Sequence, residues 1–139
     1  MSDEAREFLN SYGDFVTKVT SEPSLDQSSL DARLKEIDSS SPIESARLLT
    51  AALGLGSETG EFVEIVKKIF LQGKPASEDN IFHMKRELGD IMWYVAQACM
   101  ALEVSFDEVI ATNVKKLEKR YPEGSFDVYF SENRKAGDR

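Results

Sequence analysis

An all-α fold is what this sequence predicts, built as a bundle-like domain of four to five helices and completed by oligomerisation. Three observations carry the prediction. Apolar residues recur at i, i+3, i+4 and i+7 over long segments. The four prolines fall between those segments. No long stretch alternates apolar and polar residues as a half-buried strand would.

The elements follow in order. The spacing predicts a first helix from Asp3 to about Thr20, with Phe8, Leu9, Tyr12, Phe15, Val16 and Val19 as its apolar stripe. Glu22-Pro23-Ser24 ends it, because the residue before proline disfavours the helical region. Residues 21–41 are rich in Ser and Asp and read as a variable connection holding one short helix, Ser29 to Ile37. Ser41-Pro42 marks the next start, with proline in the first turn. That helix reaches about Leu71, with a break or bend near Gly54–Gly56, and Gln72-Gly73-Lys74-Pro75 stops it. Ser77, followed by Glu78 and Asp79, caps a third helix running to about Leu102. Ser105 and Glu108 form a capping box for a fourth, ending near Arg120. Residues 123–139 read as an extended tail with interleaved aromatics. The domain expectation is one unit over 1–139, with its core at about 42–126.

Composition narrows the function. The chain has 139 residues, 41% hydrophobic and 30% charged, enough for a soluble domain with its own core. Lys plus Arg is 17 against 25 Asp plus Glu, a formal net charge of −8. A nucleic-acid-tracking surface is basic, so no DNA or RNA partner is expected. No apolar run approaches a membrane span, and the acidic N-terminus lacks a secretory pattern. With one cysteine, Cys99, the expected location is cytoplasmic. One histidine, His83, excludes a multi-histidine zinc site. Outside any ExxH context it reads as a surface or helix-packing residue, and Cys99 as a small buried hydrophobe.

The informative residues are carboxylates in unusual places. At ~100° per residue, Glu58, Glu61, Phe62, Ile65 and Ile69 share one face of the second long helix. Glu87, Asp90, Ile91, Tyr94 and Ala98 repeat the pattern on the next. Each acid pair opens an apolar stripe instead of facing water. A solvated face is the plain alternative for any single ExxE pair. Four acids gathered between packed helices repel one another and are costly to desolvate. A hard divalent cation is the simplest offset, and without histidine or cysteine in the set Mg²⁺ is favoured over softer metals. Downstream, Asn113, Lys116 and Arg120 lie close together on or beside one helical stripe. An amide, an ammonium and a guanidinium there suit a nucleotide. The same cations also favour a helix C-terminus for its dipole alone.

Three stretches together resemble the MazG-type nucleotide pyrophosphohydrolases of the all-α NTP pyrophosphatase superfamily. They are Gly54-Leu55-Gly56-Ser57-Glu58-Thr59-Gly60-Glu61, then Glu87-Leu88-Gly89-Asp90-Ile91-Met92-Trp93-Tyr94, then Asn113-Val114-Lys115-Lys116-Leu117-Glu118-Lys119-Arg120-Tyr121-Pro122. The signature is ExxE, a spacer of 25 residues here, ExxD, then N-x-x-K-L-x-x-R. It covers about Leu48 to Phe126, and the first fifty residues match loosely.

The resemblance implies Mg²⁺-dependent cleavage of a nucleoside triphosphate to monophosphate and pyrophosphate, with Mn²⁺ as a substitute, in trimming or sanitising the nucleotide pool. It makes Glu58, Glu61, Glu87 and Asp90 the metal ligands. Glu61, or Glu64 one turn on, would activate water. Asn113, Lys116 and Arg120 would hold the nucleotide. Lys68, with Lys67 and Lys74, is a weaker phosphate candidate, and Trp93 and Tyr94 are candidates for stacking on the base as well as for the core. The expected substrate is a canonical deoxynucleotide, dGTP ahead of others. Alternatives are a dUTPase-like enzyme, a phosphoribosyl-ATP pyrophosphohydrolase, and a non-catalytic helical module that binds metal or a partner. Two helices with continuous apolar stripes and an exposed aromatic tail predict a homodimer or homotetramer, with the tail packing across the interface.

Overall fold

A computed structural model describes residues 2–133. These form six α-helices and one 3₁₀ turn, with no strand among the described residues. The all-α expectation holds. The chain divides into two compact units, residues 1–45 and 46–139.

The first unit holds α1 (Asp3–Val19), the 3₁₀ turn Glu22–Ser24 and α2 (Gln27–Ser40). Ser2 caps α1 by accepting the Ala5 N–H at 3.3 Å. Asp26 caps α2 through the Ser29 N–H at 2.7 Å. This cap starts α2 two residues before the expected Ser29, and the helix also runs past Ile37 to Ser40. The unit ends in a small knot of polar contacts. The Ser41 N–H and hydroxyl both donate to the Ile37 carbonyl, at 3.0 and 2.9 Å. Asp38 Oδ1 accepts the Ser45 N–H at 3.0 Å.

That knot also moves the next helix start. The sequence predicts it at Pro42, yet α3 runs from Ser45 to Leu71. Ser41 is extended, with φ −147° and ψ 164°, because it terminates α2. Pro42 therefore sits in the connection.

The second unit holds α3, α4 (Glu78–Ala101), α5 (Phe106–Arg120) and α6 (Val128–Glu132). Helix α3 runs unbroken through Gly54–Gly56, where a break or bend is expected from the sequence. Its end turns over at a left-handed glycine. The Lys74 N–H reaches the Lys68 carbonyl at 3.0 Å across Gly73, whose φ of 71° is left-handed. Ser77 and Ser105 cap α4 and α5 as the sequence predicts, through the N–H groups of Asn80 and Glu108. The tail is not wholly extended, because Asp127 caps the short α6 by accepting from Tyr129 and Phe130.

Buried apolar side chains are few. Ala51 and Ile65 on α3 and Cys99 and Ala101 on α4 make up the buried apolar set among the described residues. No helix among them is long and apolar enough to cross a membrane.

Candidate active site

Helices α3 and α4 run antiparallel, which three contacts establish. The Arg47 guanidinium donates to Gln97 Oε1 at 3.1 Å. Gly54 backs onto the Tyr94 ring so closely that an added Cβ would overlap its Cε1, Cζ and Cδ1 atoms. Glu58 meets Glu87. Rising position on α3 thus matches falling position on α4. Each acid pair has i, i+3 spacing, so both members lie on one face of their helix. The glycine at position 54 seats the Tyr94 ring of α4 against α3, on the same side of the hairpin as the acids.

Carboxylate oxygens of Glu58, Glu61 and Glu87 all lie within 4.8 Å of one another. Glu87 is buried, Glu58 half-buried and Glu61 exposed. The Glu58 carboxyl is pushed above the ordinary carboxylate range. Loss of water is the largest cause, followed by the charges of Glu61, Asp90 and Glu87 and a hydrogen bond with Glu87. Asp90 is outside the trio, is exposed, and acts on Glu58 through its charge.

The donor set fits a hard divalent cation. All three groups offer oxygen only. Like charges this close raise one another's proton affinity, as Glu58 records, and a cation among them converts repulsion into attraction. Glu58, Glu61 and Glu87 would hold it, with Asp90 near enough to add charge.

The remaining predicted residues fall in several places. Glu64 forms ion pairs with Lys67 and with Lys68, the latter at 3.2 Å. Hydrogen bonds from Lys67 and then Lys68 hold the Glu64 carboxyl below its ordinary range. Trp93 and Tyr94 meet edge to face, with centroids 4.8 Å apart. Trp93 is 53% exposed, while Tyr94 is half-buried against α3. Asn113 and Lys116 are exposed on α5, and Arg120 is half-buried at its last turn. All three lie outside the acidic trio.

One contact was missed from the sequence. His83 Nε2 lies 2.9 Å from Glu87 Oε1. The i, i+4 spacing of these two residues was the available signal.

Two antiparallel helices with converging acids, followed by a helix bearing an amide and two cations, define an all-α domain. Residues 47–125 match the MazG nucleotide pyrophosphohydrolase domain, and the chain belongs to that family. It is also similar to the Gene 37 protein of Mycobacterium phage L5, a name that states no activity. The two are 40% identical over 74 residues, which is 52% of this chain and 64% of that protein. No solved structure matches.

Proposed function

We propose that this chain hydrolyses (deoxy)nucleoside triphosphates to the monophosphate and pyrophosphate, acting on the cytoplasmic nucleotide pool. The convergence of Glu58, Glu61 and Glu87 is the observation that carries the reading. In the reaction a water oxygen bonds to the α-phosphorus, the α–β bridging bond breaks, and pyrophosphate leaves with the electron pair. Bound Mg²⁺, or Mn²⁺ in its place, supplies charge neutralisation for the phosphates and the leaving group.

This chain's side chains then divide the work. Glu58, Glu61 and Glu87 hold the cation, and Asp90 adds its charge beside them. Glu61, the exposed member of the trio, orients the attacking water and takes its proton. Glu64 serves that purpose less well, because two lysines already hold it ionised. Asn113, Lys116 and Arg120 bind sugar and phosphates, and the exposed Trp93 ring offers a face for the base. Lys68 is a lesser phosphate contact, since Glu64 engages it. Our preferred substrate is dGTP.

The reading extends to assembly. Phe106, Val109, Ile110, Val114 and Leu117 form the α5 stripe, and each is between 37% and 49% exposed. Apolar side chains this exposed support a homodimer or homotetramer in which a second copy covers them, read out by light scattering.

The test is pyrophosphate release from a panel of ribo- and deoxynucleoside triphosphates, with phosphoribosyl-ATP included. Each is run with Mg²⁺, Mn²⁺ or EDTA. Metal-dependent release with monophosphate as co-product is expected, fastest for dGTP. Selective turnover of dUTP or phosphoribosyl-ATP would reassign the substrate. Metal binding without release from any of them would leave a non-catalytic module.

A further inference from the structure

The imidazole beside the acidic trio has no part in the roles assigned above. His83 stands one turn before Glu87 on α4. Its Nε2–H donates to Glu87 Oε1 at 2.9 Å. The two partners differ sharply in burial, with side chains 46% and 7% exposed. His83 is therefore not packed away as a core residue. Its ordered contact is with the most buried carboxylate of the trio.

That contact matters for how Glu87 can act. The terminal torsion of a glutamate is broad and roughly two-fold, so an unsupported carboxylate swivels. A donor fixed to Oε1 sets its plane. A carboxylate has two oxygens and about four acceptor directions, so one bond to His83 leaves Oε2 and further lone pairs for a cation. The donor also places positive hydrogen density against a group that otherwise faces Glu58. Metal-binding side chains in proteins generally depend on such outer partners for orientation.

We infer that His83 is a positioning residue that holds the Glu87 carboxylate in its cation-binding orientation. This rests on the reading of Glu58, Glu61 and Glu87 as the cation site. The opposite possibility is also physical. His83 could occupy the oxygen the cation needs, in which case removing it would strengthen binding.

Mn²⁺ titration of the full chain by electron paramagnetic resonance separates these outcomes. Wild type, H83A, H83L and H83Q are compared at one pH, with melting temperatures in EDTA as the folding control. The glutamine keeps an amide donor near the position of Nε2; the alanine and leucine remove it. Mn²⁺ affinity falls by about 10–100-fold in H83A and H83L, and H83Q recovers most of the loss. Melting temperatures in EDTA stay close to wild type, as expected for a half-exposed side chain. H83A and H83L variants that bind Mn²⁺ as tightly as wild type, or more tightly, overturn the inference and leave the acidic site standing. A wild-type chain that binds no Mn²⁺ overturns both.

Discussion

Asp26 and Asp38 in the first unit of this chain and Glu58 in the second are carboxylates in opposite surroundings. In residues 1–45, Asp26 and Asp38 face donors. The Ser28 hydroxyl, then the Ser29 N–H, holds Asp26 below the ordinary carboxylate range. The Ser45 hydroxyl close by, then the Ser45 N–H, does the same for Asp38. In residues 46–139, Glu58 faces other acids and is pushed up. The first arrangement stabilises the fold and is complete within the chain. The second costs stability in the chain alone, and it becomes intelligible when a cation is its missing partner.

The comparison breaks most visibly through activity. With E61Q the amide cannot take a proton from water, and turnover falls by about 10²–10⁴-fold. Pyrophosphate release under saturating Mg²⁺ measures it. An E61Q variant that retains full turnover would remove Glu61 from the chemistry.

Next in size is the close approach of Gly54 to the Tyr94 ring. In G54A the new methyl overlaps the Tyr94 ring. Forcing a methyl into a tight contact of this kind costs about 1–3 kcal/mol. Urea unfolding in EDTA reads that loss. Mn²⁺ affinity should fall with it, because spreading α3 from α4 parts Glu58 from Glu87. Unchanged stability would mean that the helices separate at no cost.

A smaller effect has the more instructive sign. Glu58 has a raised folded-state pKa. Its contribution is therefore fully present below the ordinary glutamate value and is lost as pH rises through the folded one. At neutral pH the ionised group burdens the metal-free fold. E58Q should melt higher than wild type in EDTA at pH 7, and the gap should close at pH 4. With Mn²⁺ added the order should reverse, since only wild type gains from the ion. An E58Q variant less stable than wild type in EDTA would place Glu58 with the structural acids.

The sequence was most legible where the causes are local. Ser77 and Ser105 announced α4 and α5 because a cap involves residues two or three apart. The acid pairs announced the cluster of Glu58, Glu61 and Glu87, though not Asp90, because i, i+3 spacing fixes a shared face before any packing is known. Misreadings arose where a longer contact decided. Pro42 looked like a helix start, but Asp38 reaches seven residues on to Ser45 and sets the start there. Gly54 looked like a break, but it is the seat of a ring from another helix. His83 looked idle, although its spacing from Glu87 was already in view.

The last prediction tests the other side of the comparison. Asp26 has a lowered folded-state pKa, so its contribution is present above the ordinary aspartate value and is lost as pH falls through the folded one. D26A should melt below wild type at pH 7, with the difference fading under acid. D26N separates charge from capping, because asparagine caps a helix about as well as aspartate. It should retain most of the pH 7 stability and lose the acid-dependent part. Neither variant should alter Mn²⁺ affinity, since Asp26 is engaged at the start of α2. A shift in Mn²⁺ affinity with D26A would link the two units energetically and end the division drawn here.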